Sequence, residues 1–145
     1  MSKREDIATN IVSVVSGVSS PAIKKVSRQP FPLDELSQQQ YPAVLVQTIE
    51  ETKEDQELGS GAKTRLSTLE FLIQCYIKGA ESNIDTERNN LATAIETALE
   101  SDITRGGNAL DTQVTNIESD GGQLFPFGAV NLTVSVLYEH QSGTP

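Results

Sequence analysis

The chain has 145 residues, 37% of them hydrophobic, a length and composition that predict one domain over residues 1–145. Twenty acidic against eleven basic residues leave a net charge of -9, and no basic stripe with interleaved aromatic residues offsets this charge, which excludes specific nucleic-acid binding. One cysteine excludes an intrachain disulfide framework, and no apolar stretch is long enough to cross a bilayer.

The first thirty residues predict a helix followed by a proline-rich segment. Ser2 and Glu5 form a capping box, and the helix is expected from about Lys3 to Gly17, although its valines and serines leave a strand over 11–18 as an alternative. The prolines that follow permit at most a short edge strand at 23–29, before an irregular excursion, "FPLDELSQQQ", with one helical turn. The apolar positions at helical spacing are Ile7, Ile11, Val14, Val15 and Val18.

Two apolar runs with a period of two predict paired strands. Val44, Val46 and Thr48 share one face of the first strand. The second strand is longer, and its apolar face carries Leu69, Phe71, Ile73, Cys75 and Ile77. Between the strands lies "ETKEDQELGSGAKTR", Glu51 to Arg65, which is far longer than the two to five residues that a hairpin turn needs.

The second half of the chain predicts a helix and two more strands. Ser82 or Asp85 is expected to cap the helix, and Arg105-Gly106-Gly107 to stop it. A weaker strand covers 110–118, with Val114 and Ile117 as its apolar positions, and 129–138 alternates most clearly. The order predicts an α+β fold: a mixed, mainly antiparallel sheet of about four to five strands, two main helices on one face, and a long β-hairpin arm. A flexible tail is expected from about 140 to 145.

The predicted core combines the inward positions of the long strands with the apolar stripe of the second helix. Nine residues are expected to be buried: Leu69, Phe71, Ile73, Leu91, Ile95, Leu99, Leu132, Val134 and Val136.

Residues that could carry chemistry are few. His140 is the only histidine and is interpreted as part of a solvated end. Cys75 shares its face with apolar residues and is interpreted as core rather than nucleophile. The glycine pairs lack the strand, helix and lysine context of a phosphate loop. The sequence therefore predicts no catalytic residue, no cofactor, no metal site and no enzyme.

The charged connection is instead interpreted as an interaction arm. Residues 50–57 contain five acids and one lysine, and basic residues follow, so the segment has an acidic limb and a basic limb. A solvated loop without a partner is the alternative. The candidate contacts to subunits or to a tube are Glu51, Lys53, Glu54, Asp55, Glu57, Lys63 and Arg65.

The order of these elements from Tyr41 to Tyr138 resembles the tail terminator (minor tail protein U-like) family of long-tailed bacteriophages. The resemblance is carried by "YPAVLVQTIEETKEDQELGSGAKTRLSTLEFLIQCYIKG", by the helix with "LATAIETALE" and by the final strand ending "TVSVLYEH". The proline-rich excursion and the longer "SDGGQLFPFG" turn depart from the family pattern.

The resemblance implies a structural virion protein, assembled in the host cytoplasm and located in the tail or neck. It implies a homo-oligomeric ring, a hexamer, that caps the head-proximal end of the tail tube, stops its polymerisation and joins the neck. The implied partners are the major tail tube protein and a neck or head-completion protein, with viral DNA passing through unbound and no membrane. Another neck connector or tail-completion subunit, or a non-viral α+β binding domain, remains the alternative.

Overall fold

A computed structural model describes residues 2–19, 21–30, 40–55, 64–78, 83–121 and 127–141. Within them, two helices and five strands follow one another along the chain. The elements are α1 (Lys3–Ser16), β1 (Lys25–Ser27), β2 (Ala43–Asp55), β3 (Thr64–Lys78), α2 (Ile84–Glu100), β4 (Asp111–Ser119) and β5 (Phe127–Gln141). The α+β prediction is confirmed, including the sheet that is antiparallel except at one edge.

The five strands form one sheet in the order β1-β2-β3-β5-β4. β1 lies parallel to β2 over three residues, whereas β2 and β3 pair antiparallel from Ala43↔Tyr76 to Asp55↔Arg65. β5 follows β3 along its whole length, from Thr64↔Gln141 to Lys78↔Phe127. The central strand is therefore paired on both sides over 65–76, and the lateral edges of the sheet are β4 on one side and, on the other, β1 together with the part of β2 beyond Leu45.

Both helices cover the same face of the sheet, and the core lies between the two layers. All nine residues predicted to be buried are buried, and Phe71 and Leu132 are fully inaccessible to solvent. Ile7, Ile11 and Val15 of α1 join this core, which confirms the helix over the alternative strand. The helix is capped as predicted, because the Glu5 amide donates to Ser2 Oγ at 3.2 Å. No described helix is both long and apolar enough to span a membrane.

Several predicted boundaries are wrong. β2 extends to Asp55 and β3 already begins at Thr64, so much of the segment interpreted as a connection is paired strand rather than loop. The α2 N-cap is Asn83, Asp85 lies inside the helix, and Ser82 is outside the described residues. α2 ends at Glu100, well before the glycine pair.

The turn after α2 still uses the glycines as their chemistry suggests. Arg105, Gly106 and Gly107 all have positive φ angles, a conformation that glycine adopts at little cost. Ile117, one of the two apolar positions named for the weaker strand, is 44% exposed, because β4 forms the edge of the sheet. The predicted helical turn in "FPLDELSQQQ" falls almost wholly on residues 31–39, outside the described residues.

A β-bulge in β2 changes which residues face the helices. The pairing shifts between Thr48, opposite Phe71, and Glu50, opposite Glu70, so Ile49 is an extra residue. Before the bulge, Val44 and Val46 face the core, as the alternation predicts. After it, the odd-numbered residues of β2 take over the helix-covered face.

Candidate assembly surface

The part of the sheet beyond the bulge, here called the distal end, consists of 50–55 of β2, 64–70 of β3 and 135–141 of β5. Its helix-covered face continues the face of the hydrophobic core, but the core side chains give way to polar ones. Lys53 lies opposite Ser67, and Ser67 lies opposite Tyr138. The N-terminal turn of α1 lies over this polar cluster.

Glu51 is the centre of the cluster. Its carboxylate pairs with Arg4 of α1, Nε to Oε1 at 2.5 Å, and with Lys53, Nζ to Oε2 at 2.6 Å. The Tyr138 hydroxyl donates to Oε2 at 2.9 Å. Burial by itself would raise the pKa of Glu51, but the hydrogen bonds from Arg4, Lys53 and Tyr138 outweigh that effect and lower the pKa to about 2. Glu51 therefore joins a helix and two strands.

His140 forms a second buried node beside Glu51. Its Nε2 lies 2.9 Å from Lys53 Nζ and 3.2 Å from Ser67 Oγ. Because an ammonium group can only donate, Nε2 accepts from Lys53, and the Nδ1–H group donates to the Gln141 carbonyl at 2.8 Å. The imidazole is 6% exposed, so the interpretation of His140 as a solvated end is wrong. The start that was predicted for the flexible tail, about residue 140, is also corrected, because His140 and Gln141 belong to β5.

The start of α1 is attached to the sheet at two further points. Lys3 Nζ donates to the Glu139 carbonyl at 2.8 Å. Glu5 accepts from Arg28, which follows β1, and this pairing lowers the pKa of Glu5. Helix, hairpin and β5 are thus connected by charge-assisted hydrogen bonds as well as by packing.

The opposite face of the distal end is acidic, and neither of the two described helices lies over it. Glu50 lies opposite Glu70, and Leu66 lies between Glu54 and Glu139 in neighbouring strands. None of these four carboxylates forms an ion pair within the described residues. The distal end therefore has two electrostatic characters: a neutralised polar cluster under α1 and an uncompensated acidic patch on the open face.

The predicted contact residues are distributed unevenly over these features. Glu51 and Lys53 are engaged inside the polar cluster, while Glu54 is exposed on the acidic side. Asp55 and Arg65 face each other across the last described β2–β3 pair. Glu57 and Lys63 lie outside the described residues.

Sequence reasoning missed the contribution of Arg4, Ser67, Tyr138 and His140 to the polar cluster around Glu51. A usable signal was present for three of them. Ser67 lies two residues before Leu69, and Tyr138 and His140 continue the even-numbered inward positions of β5, so all three share the core face by alternation. Arg4 carries no such signal, because its position depends on how α1 packs on the sheet.

A cleft of about 670 Å³ lies at the end of the sheet opposite the distal end. Tyr41, Pro42 and Lys78 lie on one wall, and α2 supplies Glu87 and Asn90 on the other.

Burial raises the pKa of the Cys75 thiol, which agrees with its interpretation as a core residue. Among the described residues, no group of three or more His, Cys, Asp or Glu side chains is arranged to hold a metal ion.

Comparison with known proteins decides the family. The model of a family described as "Bacteriophage Tail Tube Terminator Protein" matches residues 18–144. The chain belongs to the bacteriophage tail tube terminator family. It is a structural protein of the virion, located in the tail, and its position there implies contacts with other tail components.

Two further comparisons accompany the family match. No curated protein matches the sequence. Among solved structures, a chain from "Virion of native gene transfer agent (GTA) particle" aligns at 10% identity over 94% of each chain, with a TM-score of 0.43.

Proposed function

We propose that this chain acts as a single domain that forms a ring on the head-proximal end of the finished tail tube. The ring stops addition of further tube subunits and offers its other side to the neck. The observation that carries the proposal is membership of the tail tube terminator family over residues 18–144. The activity is assembly by contact alone, without catalysis or a cofactor.

The ring is a homo-hexamer in this proposal, and the interface between subunits is heterologous. A heterologous interface closes into a ring when the rotation per subunit divides a full turn, and closure itself ends the growth of the assembly. The net charge of -9 supports passage of viral DNA through the ring without specific binding, because like charges repel at short range.

The hairpin arm supplies the contact with the major tail tube protein. The proposed contact residues are Glu51, Lys53, Glu54, Asp55, Glu57, Lys63 and Arg65. Their roles differ: Glu51 and Lys53 fix the direction of the arm through Arg4 and His140, whereas Glu54 presents its charge to solvent. A basic surface on the tube subunit would complement the acidic patch.

The test measures tail length in cells that produce the phage with and without this chain. Loss of the chain is expected to give tubes of irregular, excess length that carry no heads, and wild-type protein supplied in trans is expected to restore normal tails. Purified tubes mixed with the protein should stop elongating and show a ring at one end by negative-stain electron microscopy. Tails of normal length joined to heads in the absence of the chain would overturn the proposal.

A further inference from the structure

The two lateral edges of the sheet carry all four large hydrophobic side chains that are exposed within the described residues. Ile49 is 51% exposed and lies in β2 beyond the end of β1, which covers β2 only at Ala43–Leu45. This edge is called the β1 side. The other three are Ile103, Leu110 and Ile117, each more than 40% exposed, on β4 or in the segment before it. This edge is called the β4 side.

The segment around β1 and the β4 side carry opposite charge, whereas β2 beyond Leu45 carries the exposed acids Glu50 and Glu54. Residues 21–30, which include β1, contain three bases and no acid, and Lys24 is exposed without an ion pair among the described residues. On the β4 side the exposed charged residues of 100–121 are all acidic, and the one base there, Arg105, is buried against the Leu99 and Asp102 carbonyls. The exposed acids are Glu100, Asp102, Asp111 and Glu118.

The basic and acidic segments lie at the same height on the sheet. Successive pairings connect Ser27 of β1 to Leu45, Gln74, Asn131 and finally Glu118 of β4 in one row. Two copies placed side by side in register would therefore bring the bases around β1 next to Glu118. Apolar Ile117, one residue away, would meet the same edge.

Backbone pairing across β4 is restricted by one side chain of α2 and one of β4 itself. The Val114 amide donates to Glu100 Oε2 at 3.0 Å, and the Thr112 amide donates to Asp111 Oδ1 at 2.9 Å. Two amides that a docking strand would use are thus already occupied, a common protection of edge strands. Contacts at this edge consequently depend on side chains more than on continuation of the sheet.

We propose that segment 21–30 of one copy binds the β4 side of the next copy, with Ser27 level with Glu118 and the long Lys24 side chain reaching along the edge to that carboxylate. The partner is a second copy of this chain because the basic segment 21–30 of one copy complements the exposed acids on the β4 side of another. Different surfaces meet at such a contact, so it is heterologous, the type that a closed ring requires. This inference rests on the ring of the proposed function and names its interface.

Charge reversal tests the interface on purified tail tubes. Lys24→Glu and Glu118→Lys should each weaken ring formation by about fivefold per contact at low salt, the upper range for one exposed pair. Combining both changes in one chain should restore rings. A 1:1 mixture of the two single variants should also form rings, because every junction in an alternating order then pairs a base with an acid. Glu96→Lys on α2 is the matched control and should assemble like wild type.

A cross-link gives an independent readout. The double variant Ser27→Cys/Glu118→Cys should form disulfide-linked oligomers on tube ends, whereas Ser27→Cys/Thr86→Cys should not, and Cys75 is buried in both. Wild-type rings together with unaffected charge variants and no specific cross-link would overturn the interface while leaving the ring intact. Absence of any wild-type ring on tube ends would instead overturn the proposed function, and the interface with it.

Discussion

Glu50 of β2 and Glu70 of β3 lie directly opposite each other across the strand pair, and neither has a basic partner among the described residues. Like charges in opposite positions of an antiparallel pair destabilise the sheet. The arrangement is expected in a surface that is selected for binding a partner rather than for stability of the isolated chain.

Glu70→Lys should therefore stabilise the isolated protein. We expect the free energy of unfolding to rise by about 0.5 to 1 kcal/mol, because repulsion from Glu50 becomes attraction. Chemical denaturation at low salt measures the change, and Glu70→Gln should give about half of it. If the acidic patch binds the tube, Glu70→Lys should also reduce capping; a variant that is no more stable than wild type would show that the two carboxylates do not interact.

Glu51→Gln should destabilise the protein by about 2 to 3 kcal/mol, because Arg4 and Lys53 lose the anion that neutralises them in a partly buried site. Glu54→Gln, on the exposed side of the same strand, is the control and should change the free energy by less than about 0.5 kcal/mol. Equal effects of the two substitutions in a thermal melt would contradict the central role of Glu51.

The same residue gives a prediction for acid. The pKa of Glu51 lies at about 2 in the folded chain, below the ordinary value of 4.5, so its contribution is complete above pH 4.5 and is lost as the pH falls towards 2. The difference in melting temperature between wild type and Glu51→Gln should consequently be constant near neutrality and narrow below pH 4.5. A difference that stays constant down to pH 2.5 would argue against the lowered pKa.

His140→Ala should cost about 1 to 3 kcal/mol of stability. Lys53 and Ser67 lose a buried acceptor, and the missing ring leaves a void under α1. Gln141→Ala, at the exposed next position, serves as the control and should change stability little. Differential scanning calorimetry of the two variants makes the comparison, and identical melting temperatures would restore the interpretation of His140 as a solvated residue.

Phe71→Ala should cost about 3 to 5 kcal/mol through lost burial and a cavity in the middle of the core. Leu72→Ala truncates the next residue, which lies on the face that neither described helix covers, and should cost much less stability. Denaturant midpoints of the pair report the register of β3 directly. A larger loss for Leu72→Ala would reverse the assignment of faces.

Shortening the arm should affect assembly more than folding. Residues 56–63 lie between the last described pairs of β2 and β3, so replacing them with Asn-Gly leaves a three-residue connection with Thr64. The melting temperature should remain nearly unchanged, since loop-closure entropy varies slowly with length. Tails should become overlong or headless. A Gly/Ser-rich replacement of equal length separates the effect of length from that of charge, and normal tails from both variants would exclude the arm.

The regular parts of the fold follow from the sequence because their signals are local. β3, β5 and α2 each carry an uninterrupted apolar period, and the burial of Phe71, Ile95 and Val134 could be predicted from that period alone. The capping of α1 by Ser2 was equally accessible, since the capping box needs only four consecutive residues.

The distal end could not be derived in the same way. Four of residues 51–55 are charged and poor strand formers, yet they form strand because β3, which is itself held by β5, pairs with them. The burial of His140 depends on how α1, including Arg4, packs on the sheet. The contact between Lys3 of α1 and Glu139 of β5 joins residues that are 136 positions apart in the sequence. The extra residue at Ile49 leaves no compositional trace, so continuing the alternation of Val44, Val46 and Thr48 past it would place Glu51 and Lys53 on the wrong face.

The bulge at Ile49 determines which face of the sheet each later residue of β2 occupies. Removing Ile49 would leave the pairs Thr48 with Phe71 and Glu50 with Glu70 in place, so Glu51 and Lys53 would stay under α1. Pairing Ile49 within the ladder would instead shift every later residue by one, turn Glu50 and Glu54 under α1 and send Glu51 and Lys53 to the opposite face. Length changes in the strand between the bulge and Asp55 are therefore tolerable in steps of two residues and disruptive in steps of one. Among relatives that vary in arm length, we expect even-numbered differences in this stretch, unless a compensating bulge appears in β3.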